Sequence, residues 1–211
     1  MNDLAKFVLW IVAILAAVST ILYFAFFDVW RVPSDYPQFS ASIAPTLAPG
    51  DLVLISRHGT PSFANVVRCA DPDAAGRFVV GRFVGIGGDK IDLGGESLTV
   101  NGQHIPSPRA CLTSKVTMQN PASGIDEELS CSQQEIAGMT YEVLVYPEHP
   151  EPSKSTVVES GKAFLLSDNR HMHLDSRDFG VIDPSSCKHV VFRLVSAAGY
   201  GDSKRRFTLI W

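Results

Sequence analysis

The chain has 211 residues, enough for one substantial domain. Its formal net charge is −4, from 22 acidic and 18 basic residues, and no basic stripe runs through it. That composition excludes nucleic acid as the expected partner. The first predicted element is the uncharged run Phe7 to Phe27 (FVLWIVAILAAVSTILYFAFF). At about 1.5 Å of helical rise per residue it covers a hydrocarbon core of about 30 Å. A cleaved leader has a shorter apolar core and a small-x-small site after it. A soluble helix of this length would carry a polar face. The run has neither property, so residues 1–28 are expected to be a membrane anchor. Lys6 precedes the span and Arg31 follows it, so charge asymmetry does little to fix its orientation.

A connector, residues 29–39, holds Pro33 and Pro37. Beyond it, residues 40–211 read mostly as β. Asp51 to Ser56 and Arg77 to Val80 are short apolar strands. Lys90 to Leu93, a Gly94-Gly95 turn and Ser97 to Val100 form a hairpin. Asn101-Gly102 is a second hairpin turn, of a type that needs positive φ at both central residues. Tyr141 to Tyr146, Ala163 to Leu166, His189 to Val195 and Arg206 to Trp211 are further strand candidates. Residues 111–134 and 147–160 read as loops or insertions. Four cysteines are present: Cys69, Cys111, Cys131 and Cys187. Cys111 and Cys131 flank a stretch rich in turn formers, where a disulfide could close a loop and would fit an oxidising periplasm; free cysteines are the alternative.

Three segments carry chemistry. The first is Ser40-Ala41-Ser42-Ile43-Ala44-Pro45-Thr46-Leu47, followed by Gly50-Asp51. The second is Gly81-Arg82-Phe83-Val84-Gly85-Ile86-Gly87-Gly88-Asp89-Lys90-Ile91. The third is Ser167-Asp168-Asn169-Arg170-His171-Met172-His173-Leu174-Asp175-Ser176-Arg177-Asp178-Phe179-Gly180. In order and spacing they resemble the S-x-S-M-x-P-T-L, K-R-x-x-G-x-P-G-D-x-[IV] and G-D-N-R-x-x-S-x-D-S-R-x-[WF]-G segments of bacterial type I signal peptidases, serine peptidase family S26.

The resemblance implies a mostly β fold, a coiled antiparallel sheet domain behind one N-terminal transmembrane helix. It implies a single-pass protein of the bacterial inner membrane with its C-terminal domain on the periplasmic side. The implied partners are the signal peptides of exported preproteins, membrane lipid and other subunits of a membrane complex; no cofactor and no metal are implied. By position, Ser42 falls on the nucleophile, and Ser40 with the Ser42 N–H falls on the oxyanion hole, where a Ser beside a rigid Pro turn can present its Oγ. Arg82, Asp168, Asn169 and Arg170 fall on structural positions around the site, and Asp175 and Arg177 on a structural ion pair. Lys90 is the second, non-catalytic Lys.

The departures cluster. The general-base Lys of the resembled family falls on Gly81, its Gly on Ser167, and the Ser that bonds the Lys on His173. Ile43 replaces a Met, Gly87 a Pro, and residues 35–39 are inserted before the first segment. A register following Val32-Pro33-Ser34 would put Tyr36 at the nucleophile position, but Pro45-Thr46-Leu47 favours Ser42. Arg82 cannot replace the Lys, because a guanidinium does not deprotonate at working pH.

Two functional expectations follow. One is a peptidase with Ser42 as nucleophile and His173 as substitute base, since His serves Ser on unrelated folds. The other is a pseudo-peptidase, a binding or assembly subunit whose sheet edge still takes an extended peptide. A metal at His171-x-His173 with Asp168 and Asp175 is a third and weaker reading, since His pairs on loops are more often simply exposed.

Overall fold

The computed structural model describes residues 3–94, 97–107 and 109–210. The expected turn residue Gly95 and the terminal Trp211 lie outside the described residues. Helix α1 (Asp3–Phe26) buries none of its side chains, as suits a helix whose solvent is lipid, and it is the one described helix long and apolar enough to cross a membrane. The helix feeds straight into strand β1 (Phe27–Arg31), which pairs antiparallel with β2 (Leu52–Ser56). Phe27 therefore belongs to a strand and not to the span, and the first third of the expected connector is sheet. Its last residues, 37–39, open a short helix, α2 (Pro37–Ser42). Pro37 opens α2 because its fixed φ and missing N–H suit a first helical turn. Six residues are too few for helical periodicity to show in the sequence.

The remaining strands are β3 (Val66–Ala70), β4 (Phe78–Ile86), β5 (Lys90–Gly94), β6 (Ser97–Val100), β7 (Gln103–Ile105), β8 (Arg109–Gln119), β9 (Asp126–Ile136), β10 (Met139–Val145), β11 (Lys154–Val157), β12 (Ala163–Leu166), β13 (Lys188–Val195) and β14 (Thr208–Leu209). They form three antiparallel sheets. The largest runs β1-β2-β13-β3-β4-β12, with β14 beside β13; a second runs β11-β5-β6-β7; a third runs β10-β9-β8. Asn101 and Gly102 both have positive φ, as a two-residue hairpin turn requires. The mostly β architecture expected from the sequence is the one observed.

Two readings are corrected. Residues 111–134 are not a loop, since most of them belong to the long β8–β9 ribbon. Residues 147–160 contain strand β11, paired with β5. Disulfides join Cys111 to Cys131 and Cys69 to Cys187.

The core forms four clusters. One, around Phe39, Ile43, Leu47, Val53, Val66 and Val80, fastens α2 and the turn after it onto the large sheet. A second packs the Cys111–Cys131 disulfide, Leu129, Leu144 and Met172 against Ala41. The helix carrying Ser42 is thus gripped from both sides. Each large buried side chain contributes about 1.5–3 kcal/mol relative to exposure. Behind it, the buried Asp51 carboxylate takes bonds from the Ala48 and Ala197 N–H groups and from Arg193 Nε, fixing the turn into β2.

Candidate active site

Both serines of the first segment lie on α2, and both spend their hydroxyl on the helix. Ser40 Oγ donates to Tyr36 O at 3.0 Å, and Ser42 Oγ donates to Phe39 O at 2.9 Å. Such back-bonding is a common use of Ser in helices. Ser42 is 0% exposed. Its carbonyl accepts the Asn169 backbone N–H (3.3 Å), and the Asn169 side-chain amide donates to Ala41 O (3.0 Å). The third segment is thereby stapled to the first across 128 positions of chain. Tyr36, the candidate of the alternative register, lines a separate cleft with Trp30, Phe39, Arg77 and Phe78.

Gly81 and Ser42 line one cavity, closed by Ile43, Thr46, Leu47, Val66, Val80 and Asp168. Its volume is about 10 Å³, the least that holds one water molecule. Side chains alternate along β4, so one at position 81 would share the face of Val79 and Phe83. A Cβ there would stand 3.2 Å from Leu165 Cβ and 3.4 Å from Leu166 O. Strand β12 has closed over the place where a longer residue would begin.

Arg82 and Asp168 form a buried bidentate pair, Nε to Oδ1 at 2.9 Å and an η-nitrogen to Oδ2 at 2.7 Å. Arg82 also donates to Ala64 O at 2.8 Å and lies 3.6 Å over the Tyr141 ring. Asp168 Oδ2 accepts a further bond from Thr46 Oγ1, a site residue that the sequence reading quoted but gave no role. Arg170 donates to Ser167 O and Gln134 Oε1. Asp175, fully buried, takes Arg177 on both oxygens and the Ser167 N–H at 2.8 Å. Burial alone would push the Asp175 carboxyl up, but Arg177 and these bonds hold it below its ordinary value. Ser167 Oγ accepts the Leu174 N–H at 3.2 Å, so the residue standing in place of a Gly helps shape this loop. Lys90 pairs with Asp92 on the β5 hairpin.

His173 is joined to this site through its backbone and turned away from it through its ring. Its carbonyl accepts Gln38 Nε2 at 2.7 Å, which ties it to α2. Its Nδ1 faces Asp178 Oδ2 at 2.8 Å, and its Nε2 faces Glu151 Oε2 at 3.6 Å. His171 makes a matching pair of contacts, with Glu127 at 2.8 Å and Glu151 at 3.3 Å. Among the described residues, no imidazole, amine or carboxylate accepts the Ser42 hydroxyl.

Asp168 is held by Arg82 and Asp175 by Arg177, so the carboxylates that the two rings contact directly are Glu127, Glu151 and Asp178 instead. His173, Asp175 and Asp178 do bring possible ligand atoms within 4.8 Å of one another. Both Asp175 oxygens are already bound by Arg177, which leaves two ligands and a poor metal site.

A protein-family model described as signal peptidase, peptidase S26, matches residues 4–193. Signal peptidase IB of Staphylococcus aureus, in strains Mu50, N315 and MW2, aligns at 32% identity over 104 residues, 49% of this chain and 46% of each relative. The alignment thus spans about half the length of the curated relatives.

Proposed function

The chain belongs to the signal peptidase family, peptidase S26, and from that premise we propose that it binds the signal peptides of exported proteins without cleaving them. In this reading it is an anchored pseudo-peptidase of the bacterial inner membrane, its β domain on the periplasmic side, serving as a binding or assembly subunit. Helix α1 supports the anchor. The two disulfides support an oxidising compartment for the domain.

The single observation that carries the reading is the state of Ser42. Its hydroxyl is buried and bonded to Phe39 O, and the position of the family's base is Gly81, which has no side chain. Attack on an amide needs a group that takes the hydroxyl proton as the bond forms. His173 could serve only by leaving Asp178 and Glu151 and swinging toward α2. Peptide binding needs none of this, because extended chains add to sheet edges through backbone bonds.

The experiment incubates the detergent-solubilised full chain with a preprotein carrying an Ala-x-Ala site, beside Ser42→Ala and His173→Ala variants and a Lys-containing relative. The expected result is capture of the preprotein by crosslinking with no cleavage, while the relative cleaves. Cleavage by the wild type that disappears in both variants would instead establish the His173-assisted peptidase. Cleavage lost only in Ser42→Ala would establish a peptidase with another base.

A further inference from the structure

Five side chains outside the Ser42 cavity form an unbroken alternation: Glu127, His171, Glu151, His173, Asp178. Their successive nitrogen–oxygen separations are 2.8, 3.3, 3.6 and 2.8 Å. All four ring nitrogens face a carboxylate oxygen. A neutral imidazole has one N–H and one lone pair, whereas an imidazolium has two N–H groups. With both rings neutral, only two of the four contacts can be hydrogen bonds, and the other two set a lone pair against a carboxylate. With both rings protonated, the contacts at 2.8, 3.3 and 2.8 Å become charge-assisted bonds and the one at 3.6 Å an ion pair, and two positive charges offset three negative ones.

What the chain of contacts holds is specific. Glu151 sits in the 147–153 loop, which contains Pro147, Pro150 and Pro152. Among the described residues, the loop's one backbone hydrogen bond is from His149 N–H to Tyr146 O. Glu151 is therefore its principal tether, helped by Tyr146, whose ring meets His149 at a tilt and His171 edge to face. The other end of the tether is the segment behind the Ser42 helix. Met172, between the two histidines, points the opposite way and packs with Ala41 and the Cys111–Cys131 disulfide. The cations nearby are otherwise engaged: Arg177 by Asp175, Lys154 by the Arg177 carbonyl, and Arg170 by Ser167 O and Gln134.

We propose that Glu127, His171, Glu151, His173 and Asp178 form a proton-operated latch that fastens the 147–153 loop to the segment backing α2 as the surroundings acidify. The sign follows from the donor count. Protons bound to the two rings add hydrogen bonds only when the loop is docked, so docking strengthens as pH falls and weakens as pH rises. The proposal does not depend on whether Ser42 cleaves peptides.

Hydrogen exchange of the His149 amide, whose N–H is bonded to Tyr146 O, in the full chain in detergent and corrected for intrinsic rates, tests it at about pH 5.5 and about pH 7.5, either side of the range in which histidine ordinarily titrates. Protection is expected to be at least about tenfold greater at the lower pH, through the added charge-assisted bond from His171 and the ion pair from His173 to Glu151. That difference should vanish in Glu151→Gln and in the His171→Gln/His173→Gln double variant, while protection of β4 is unchanged in both. Equal protection at the two pH values would overturn the latch, as would a pH effect that survives in the double variant. Protection at about pH 7.5 that is high as purified and lost to a chelator would also overturn it, by putting a metal ion where the protons are proposed.

Discussion

At the scale of single residues, the scaffold around Ser42 rests on buried charge pairs. Arg82 and Asp168 are 0% and 5% exposed and pair with each other in the buried site. Removing one charge strands the other in a medium that solvates it poorly. Asp168→Asn is expected to cost about 3–5 kcal/mol, measured by chemical denaturation of the detergent-solubilised chain. Arg82→Lys should also be destabilising, because an ammonium cannot reproduce the bidentate grip or the stack on Tyr141. These positions were legible in the sequence because their motifs are nearly contiguous. The neighbours of the two histidines were not. Glu127 and Glu151 lie 44 and 20 positions from His171, and no local pattern announces a contact at that range. The imidazole that the sequence offers as a base is held by carboxylates that only the fold brings to it.

At the scale of elements, what was legible depended on how much of each strand is buried. β12 is buried at all four positions and stands out as an apolar run. In the β8–β9 ribbon, β8 is mostly exposed and β9 is polar along most of its length, so the alternation is faint and the turn formers between them read as a loop. Its position comes from pairing and from the Cys111–Cys131 bond, which packs on Ala41. The second disulfide could not be read at all, because spacing does not fix cysteine connectivity. Cys69 and Cys187 are 118 positions apart and join β3 to the turn before β13. Cross-links that close long loops restrict the unfolded chain most. The double variant Cys69→Ser/Cys187→Ser is expected to lose about 2–5 kcal/mol, read as a lower denaturant midpoint. A midpoint equal to wild type would contradict this.

At the scale of the whole molecule, an apolar helix runs without a linker into the edge of a sheet, and that sheet carries the Ser42 helix. The orientation of the site is thus tied to that of the helix. Acid should loosen this body from within the third segment. The Asp175 carboxyl is held below its ordinary value, so its contribution is fully present above the unfolded value near 3.9 and is lost as pH falls through the lower folded value. Melting temperatures are therefore expected to fall below about pH 4, and Asp175→Asn should lower the neutral-pH melting temperature while flattening that acid decline.

The central claim is that three coordinated departures, at Gly81, Ser167 and His173, silence a site whose binding frame persists. The direct measurement is preprotein cleavage by the wild type beside the triple variant Gly81→Lys/Ser167→Gly/His173→Ser, with Ser42→Ala added to each. A Cβ at position 81 would stand 3.2 Å from Leu165 Cβ and 3.4 Å from the Leu166 carbonyl, so β12 must give slightly, and the other two changes restore the residues of the resembled segments beside it. The account predicts no cleavage by the wild type and a cleavage by the triple variant that requires Ser42. Cleavage by the wild type, abolished by Ser42→Ala, would contradict it.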